Sequence, residues 1–368
     1  MLLEPDRVGS ILLIATRQIG DVLLVTPLLA SLRKSYPNST IDVLVFFGKG
    51  GMLEGNPHLT NVLEVSEKPS RKEYRSILSR LFRRYDLVVN TQANDRAHQF
   101  AILAARYRVG LVYERDWRSA WKRWSNVRWA WLENVYTHTV TQNLALAQLL
   151  GIESLEEVVP PRAFLPQELR LDALHREGIT AYAVVHLNPM WNYKRWTKAG
   201  WTVVIQGLLA KRLHVFISGG PSDETECGQM AASFFAGVTS LAGQLSFGQL
   251  AQLISGARIF IGPDTAVTHL AAATGVSTLA IYGPSNPIKW GPWPRGYAGS
   301  ASPWKNLAHP WQHQHNVLLL QGEDPVGRPA CVPCYGEGCD RHKASSSACL
   351  QELSSDRVLA ACAVLLGD

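Results

Sequence analysis

Residues 259–284 read IFIGPDTAVTHLAAATGVSTLAIYGP, and this stretch decides the fold. An apolar run leads through a Gly-Pro break into a predicted helix whose first turn carries Asp264, Thr265 and His269. With Asp264 or Thr265 as N-cap, the first N-H groups of that helix have no intrahelical partner and, with the helix dipole, favour a bound phosphate. The next apolar run, residues 276–283, also ends in a polar turn, so two neighbouring strand ends predict a ligand site. The alternative is an ordinary buried helix with a satisfied histidine.

Composition bounds the class of protein. The chain has 368 residues, 46% hydrophobic and 18% charged, which excludes a disordered chain and favours two domains. No apolar run reaches the roughly 18 to 20 residues needed to cross a bilayer, and the N-terminus lacks the features of a signal peptide, so we predict a cytoplasmic protein. A net charge of +6 indicates an acidic partner, which could be nucleic acid, an anionic membrane surface or a phosphorylated substrate.

Strands and helices are predicted to alternate along the chain, and the strands are continuous apolar runs typical of parallel strands buried on both faces. A proline-rich linker near residue 165 separates two such series. We therefore predict an α/β protein with a first domain over 1–165, a second over 166–350 and a terminal helix over 351–368, with a cleft between the two domains. The predicted strands are residues 10–15, 40–46, 86–90, 183–187 and 214–218, followed by those of residues 259–284.

The loop after the first strand, residues 16–21, reads TRQIGD and lacks the G-x-G-x-x-G spacing of nicotinamide and flavin sites. Gly20 permits a close backbone turn there. Asp21 begins the following helix, where it either caps the helix or faces the cleft as a carboxylate base. Pro27 conflicts with regular helix geometry, so we expect a kink near residues 22–24.

Three segments resemble glycosyltransferase family 9, the heptosyltransferases: ATRQIGDVLLVTPLLASLRKSYP, NYKRWTKAGW and GPDTAVTHLAAATGVSTLAIYGPSNPIKWGPW, in the family's order and approximate spacing. The similarity covers residues 10 to 295. It implies the GT-B arrangement, in which two Rossmann-like domains face a central cleft. It also implies an inverting, metal-independent transfer of heptose from ADP-heptose to the inner core of lipopolysaccharide.

The resemblance implies that Asp21 is the general base and that Lys194 contacts the donor phosphate. The physical logic agrees, since displacing ADP needs a base for the acceptor hydroxyl and positive groups for the departing diphosphate. Glu224 is a further candidate for the donor's ribose or sugar hydroxyls, although it could equally cap a helix. Metal-dependent glycosyltransferases usually carry an Asp-x-Asp pair, and this chain has none. The predicted donor-binding residues are Gly20, Lys194, Glu224, Asp264, Thr265, Ala266 and His269, with Ala266 replacing the glycine of many members.

Two basic stretches of the first domain are predicted to meet the acceptor, a lipopolysaccharide core on lipid A. In the second stretch Trp117, Trp121 and Trp124 would line one helical face among basic residues, which suits the headgroup region of the inner membrane. The alternative is a solvated basic face over a buried tryptophan stripe. Single-stranded nucleic acid ranks lower because no nucleic-acid motif accompanies the pattern, and we predict no nucleic-acid partner. The predicted acceptor contacts are Arg17, Arg71, Lys72, Arg118 and Lys122.

Cys331, Cys334, Cys339 and Cys349 form C-x2-C-x4-C-x9-C. This spacing indicates a structural zinc or iron, with reduced thiols and disulfides as the alternatives. Four thiolates leave no open coordination position, so such a metal would not be catalytic, and we predict no cofactor for catalysis.

Two other functions stay open from sequence. One keeps the fold and changes the donor to another nucleotide sugar, and the other is a non-catalytic protein that binds a sugar nucleotide or nucleic acid. The combination of Asp21 with Lys194 argues against the second.

Overall fold

The computed structural model describes residues 3–113, 117–334 and 336–367, except the side chain of Arg118, and divides into two compact units. Unit 1 comprises Met1–Pro161 and Ala298–Ser302, and unit 2 comprises Arg162–Tyr297 and Pro303–Asp368. Each unit is built on its own, largely parallel sheet.

The sheet of unit 1 has the order β3-β2-β1-β4-β5-β6, and every neighbouring pair in it is parallel. Its central strands β1 and β4 are buried because they are continuous apolar runs covered on both faces. The strands are β1 (Ser10–Ile14), β2 (Thr40–Phe46), β3 (Asn61–Val65), β4 (Leu87–Asn90), β5 (Tyr107–Tyr113) and β6 (Arg128–Leu132).

Helices pack on this sheet through small and aromatic residues. Leu12, Ile14 and Val88 of the strands form one core cluster with Phe100 and its alanine neighbours. Pro27 lies at the start of a helix rather than inside one, so the predicted kink is a complete break between two helices. The helices are α1 (Ile19–Leu23), α2 (Thr26–Ser35), α3 (Arg71–Leu81), α4 (Asp95–Ala104), α5 (Ala120–Trp124) and α6 (Thr139–Leu150).

The sheet of unit 2 has the order β12-β13-β11-β10-β7-β8-β9, with β12 antiparallel to β13. Its strands are β7 (Tyr182–His186), β8 (His214–Ser218), β9 (Val238–Ser240), β10 (Ile259–Pro263), β11 (Thr278–Tyr282), β12 (Trp311–Gln314) and β13 (Val317–Gln321). The helices are α7 (Leu171–Arg176), α8 (Lys198–Ala210), α9 (Glu224–Ala232), α10 (Phe247–Ser255), α11 (Ala266–Thr274), α12 (Pro287–Trp290), α13 (Ala348–Gln351) and α14 (Ser355–Leu366).

Each sheet has one point where the strand order reverses. In unit 1 the chain runs outward from β1 to β3 and then returns to start β4 on the other side of β1; in unit 2 the same reversal separates β7 from β10. Ligands of open α/β sheets bind beyond the carboxyl ends of the strands at such a point. The candidate sites of both units are therefore the loops that follow β1 and β4, and those that follow β7 and β10.

No helix among the described residues is long and apolar enough to cross a membrane.

Candidate functional site

An ion pair spans the reversal point of unit 2. Lys194 lies in a short 3-10 turn, Asn192–Lys194, in the loop after β7, whereas Asp264 directly follows β10. Because β7 and β10 are neighbours in the sheet, the two side chains meet, with Nζ of Lys194 2.5 Å from Oδ2 of Asp264. Their side chains are 17% and 7% exposed, so the pair is almost entirely withdrawn from water. The sequence predicts both residues as donor contacts.

Asp264 is held as a carboxylate. Burial raises its pKa, but the Lys194 ammonium and the hydroxyl of Ser285, which donates a hydrogen bond to Oδ2, outweigh burial and leave the pKa below its ordinary value. Burial and the negative charge of Asp264 raise the pKa of the neighbouring Tyr282. The carboxylate thus fixes the Lys194 ammonium at the ends of the strands, where a positive charge is in place before any ligand binds.

Helix α11 begins beside this pair, as residues 259–284 predict. Thr265 is its N-cap, with extended backbone at φ −141° and no side-chain cap hydrogen bond. Thr265 and Ala266 are only half-buried, so the amino end of the helix is accessible. The uncapped first turn and the helix dipole favour an anion at this point.

His269 lies one turn along the same helix and is buried. Burial lowers its pKa to about 4, so its imidazole is neutral at neutral pH. Its Nδ1 has no hydrogen-bond partner among the described residues. This buried ring nitrogen lies near the carboxyl ends of the unit 2 strands, and a bound ligand could supply the hydrogen bond that it lacks.

The sequence missed a second polar cluster at the ends of β7 and β8. His186 contacts the hydroxyl of Ser218 at 3.1 Å, and Asn188 donates a hydrogen bond to Glu226, which also pairs with Arg195 at 2.9 Å. Burial lowers the pKa of His186 to about 4. Only the strand order reveals this cluster, because its members come from separate segments.

Glu224, predicted as a donor contact, begins α9 and is exposed. Its carboxylate lies against Gly243, whose φ is +74° and where an added Cβ would stand 2.2 Å from Oε1 of Glu224. Glycine at that position therefore leaves room for the carboxylate. The role of Glu224 as a donor contact stays a prediction.

In unit 1 the predicted base follows β1. Asp21 lies in the first turn of α1, next to Gly20, and its Oδ2 is 3.7 Å from Nε of Arg17. The Asp21 side chain is 12% exposed. Across the reversal point, Thr91 and Gln92 follow β4; the Gln92 side-chain amide donates to the Thr91 hydroxyl, which donates to the carbonyl of Ile14. The sequence missed these two residues.

The predicted acceptor contacts have different environments. Arg71 and Lys72 are exposed in the first turn of α3, and the side chain of Arg118 lies outside the described residues. Lys122 corrects the expectation of an exposed basic face: its side chain is 6% exposed and its ammonium pairs with Asp95 at 2.7 Å. It also donates to the carbonyl of Ala93, so Lys122 fixes the start of α4 rather than reaching solvent.

All six cysteines are free thiols, so the disulfide alternative is wrong for this structure. Among the described residues no group of three or more His, Cys, Asp or Glu side chains is arranged to hold a metal ion. The structure therefore does not support the predicted zinc or iron at Cys331, Cys334, Cys339 and Cys349.

Comparisons with known proteins identify relatives of this chain. A model of "Glycosyltransferase family 9 (heptosyltransferase)" matches residues 74–318. The chain is 30% identical over 296 residues to lipopolysaccharide heptosyltransferase 3 of Escherichia coli, which covers 74% of this chain and 83% of that protein.

Solved structures are similar over most of the chain. A family 9 glycosyl transferase from Veillonella parvula has a TM-score of 0.72 at 21% identity, covering 97% of both chains. E. coli heptosyltransferase WaaC with ADP has a TM-score of 0.65 at 19% identity, covering 85% of this chain and 93% of that one. At these identities the likeness shows the fold alone, and it confirms the predicted α/β fold of the GT-B class.

Proposed function

The chain belongs to glycosyltransferase family 9, the heptosyltransferase family, and is a glycosyltransferase; from that premise we propose that it transfers a heptose from ADP-heptose to an inner-core acceptor of lipopolysaccharide. The observation that carries the proposal is the buried Lys194–Asp264 pair beside the uncapped start of α11. Together they offer a fixed cation and outward N-H donors, the groups that a nucleotide diphosphate needs.

In the proposed reaction Asp21 accepts the proton of the acceptor hydroxyl. The hydroxyl oxygen attacks the anomeric carbon of the heptose from the side opposite the ADP, so the bond to the β-phosphate oxygen breaks and the configuration inverts. Lys194 and the amino end of α11 stabilise the negative charge on the departing ADP. Every group in this scheme is a side chain or backbone amide of the chain, so the proposal requires no cofactor.

The position of Asp21 supports its role, because it lies in the first turn of the helix that follows β1 and its side chain is 12% exposed. Nε of the partly exposed Arg17 lies 3.7 Å from Oδ2 of Asp21. A general base must be a carboxylate when the acceptor arrives and must then take up the proton of the acceptor hydroxyl. Arg17 next to it is a candidate contact for an anionic acceptor, with Arg71 and Lys72 on α3.

The test combines binding with transfer. Purified protein is screened by thermal shift with ADP, UDP and GDP, and then assayed for transfer from ADP-heptose to a lipopolysaccharide core acceptor. We expect selective stabilisation by ADP and release of ADP that depends on the acceptor. Stabilisation by UDP or GDP instead would point to another nucleotide sugar, and binding of ADP-heptose without transfer to any core acceptor would contradict the enzyme.

We further propose that unit 1 touches the cytoplasmic face of the inner membrane, where a lipid A acceptor would lie. Trp117 and Trp124 are 79% and 86% exposed, and Trp131 on edge strand β6 has Arg123 over its ring at 5.8 Å. Exposed aromatic rings next to cations suit an anionic headgroup region.

Vesicle sedimentation tests this contact. The parent should bind vesicles that contain anionic phosphatidylglycerol more than neutral vesicles, and Trp124→Ser should reduce that binding. Phe235→Ser is the matched control, because Phe235 is a fully exposed aromatic residue of unit 2. Equal loss in both variants, or no preference for anionic vesicles, would contradict the surface.

A structural metal at the four-cysteine segment is retained as a proposal that rests on its sequence pattern. Two backbone N-H groups, of Gly336 and Ala348, donate to the sulfurs of Cys334 and Cys339 at 3.2 and 3.3 Å. Elemental analysis of protein purified without chelator decides: about one zinc or iron per chain supports the metal, and none retires it.

A further inference from the structure

We propose that the described residues of the Cys-rich segment, 331–334 and 336–349, are part of the donor site: they hold the loop that carries Lys194, and they supply Lys343 as a second cation for the donor diphosphate. The inference rests on the proposed function, since it assumes that the donor's diphosphate binds at Lys194. It assigns a role to a stretch that lies outside the matched family model.

Direct hydrogen bonds join the segment to the Lys194 loop. The backbone N-H of Asn192 donates to the carbonyl of Lys343 at 3.0 Å, and the Asn192 side-chain amide donates to the carbonyl of Ala344 at 3.0 Å. The buried hydroxyl of Ser347 donates to the carbonyl of Tyr193 at 2.6 Å. The two residues that precede Lys194 are therefore both fixed by this segment.

The segment also contacts the other side of the ion pair. The backbone N-H of Cys334 donates to the carbonyl of Pro284 at 2.7 Å, and Pro284 precedes Ser285, whose hydroxyl donates to Asp264. One stretch of chain thus braces the loop of the lysine and the loop that holds its carboxylate partner. A change in the segment should alter the position of the Lys194 ammonium.

Lys343 is the proposed second cation, and it lies near Lys194. Its Nζ is 5.0 Å from the centre of the Trp191 ring, and Nζ of Lys194 is 5.3 Å from the same ring centre. The Lys343 side chain is 54% exposed, and its acidic neighbour Glu337 is 3.8 Å away, which is a weak pairing. Asp264 offsets much of the charge of Lys194, so a diphosphate, which carries more than one negative charge, favours an additional cation nearby.

The proposed role of the Lys343 charge is tested by calorimetric titration of ADP and AMP. The titrated proteins are the parent, Lys194→Ala, Lys343→Ala and Lys343→Arg. Lys305→Ala is the control, because Lys305 is an exposed lysine of the same unit. Lys343→Ala should weaken ADP binding about two- to fivefold, the range of an exposed ion pair, and should weaken AMP binding less. Lys343→Arg and Lys305→Ala should bind ADP as the parent does. The effect of Lys343→Ala should shrink as salt is raised.

The hydrogen bonding between the Lys194 loop and the Cys-rich segment is tested with Asn192→Ala. Asn192 is exposed, so loss of its side-chain amide should leave the fold intact. We expect a higher KM for the donor with an unchanged KM for the acceptor and an unchanged melting temperature. If Lys343→Ala and Asn192→Ala both bind ADP like the parent while Lys194→Ala binds it weakly, the inference is overturned and the proposed function stands. If the parent itself does not bind ADP, the proposed function fails, and the inference fails with it.

Discussion

The reversal points of the two sheets have the same topology, but the ion pairs at them differ in distance and in exposure. In unit 2 the loops after β7 and β10 are joined by a buried ion pair at 2.5 Å. In unit 1 the residues after β1 form a looser pair, Arg17 and Asp21, at 3.7 Å with the arginine 37% exposed. The unit 2 pair is almost entirely withdrawn from water, whereas the unit 1 pair includes a partly exposed arginine.

The difference matches the two tasks of a sugar transfer. Groups that are already in position favour the binding of an anion, because no conformational entropy is lost in ordering them when the ligand binds. Proton transfer needs a carboxylate that the acceptor hydroxyl can reach. The proposed function therefore assigns donor binding to the loops of unit 2 and the general base to Asp21 of unit 1.

The largest effect is expected in unit 1. Asp21→Asn should lower turnover by about 10²- to 10⁴-fold, because the amide cannot accept the acceptor proton, while ADP affinity stays nearly unchanged. Steady-state kinetics together with calorimetric titration of ADP measure both quantities.

Asp6→Asn is the control for this change, since Asp6 is an exposed carboxylate of the same unit. Near-normal turnover of Asp21→Asn would show that Asp21 is not the general base. It would also contradict the proposal that unit 1 supplies the base and unit 2 binds the donor.

The next largest effect is expected in unit 2. Lys194→Ala should weaken ADP binding about ten- to hundredfold, the range of a lost charge-assisted hydrogen bond. The variant also leaves Asp264 as a buried carboxylate without its cation, so the pKa of Asp264 should rise. Calorimetry of the folded variant measures the affinity, and unchanged binding would mean that the diphosphate lies elsewhere.

Smaller effects are expected along α11. Thr265→Val and His269→Ala should each weaken ADP binding about fivefold, which corresponds to about 1 kcal/mol for a neutral hydrogen bond. Thr274→Val, at the far end of the same helix, is the control. If all three variants bind ADP equally, the helix does not contribute to donor binding.

The smallest effect concerns acid stability. The pKa values of His186 and His269 are about 4 in the folded chain because both are buried, against an ordinary value of 6.5. Between those values the unfolded chain binds more protons than the folded chain, so stability rises with pH and is lost as the pH falls through this window. Calorimetric melting temperatures should fall by several degrees from about pH 7 to about pH 5, and His186→Gln should fall less. Parallel curves for parent and variant would contradict the assignment.

Much of the fold could be predicted because it depends on local pattern. Residues 40–46 and 214–218 are strands as predicted, since a continuous apolar run has few alternatives inside an α/β layer. The family resemblance is likewise confirmed by the model that matches residues 74–318. The strands β5 and β6 were missed because they lie toward the sheet edge, where polar and aromatic residues interrupt the apolar pattern.

The candidate site of unit 2 also has one part that the sequence could predict and one part that it could not. The proposed phosphate site at the start of α11 is local, because a strand, a Gly-Pro break and a capping residue follow one another in the chain, so the sequence by itself could predict it. The partnership of Lys194 with Asp264 depends on the adjacency of β7 and β10, which no local pattern specifies.

Lys122 and the Cys-rich segment also make contacts with distant parts of the chain that local sequence could not predict. A basic residue among tryptophans predicts an exposed face, but a neighbouring helix end supplies the Asp95 carboxylate that allows Lys122 to be buried. The contacts of Asn192 with Lys343 and Ala344 join residues about 150 positions apart. Sequence determined which residues could bind an anion or accept a proton, because those properties belong to single side chains and short backbone turns; only the tertiary structure decided which of them are paired, buried or braced, because those states depend on neighbours that are distant in the chain.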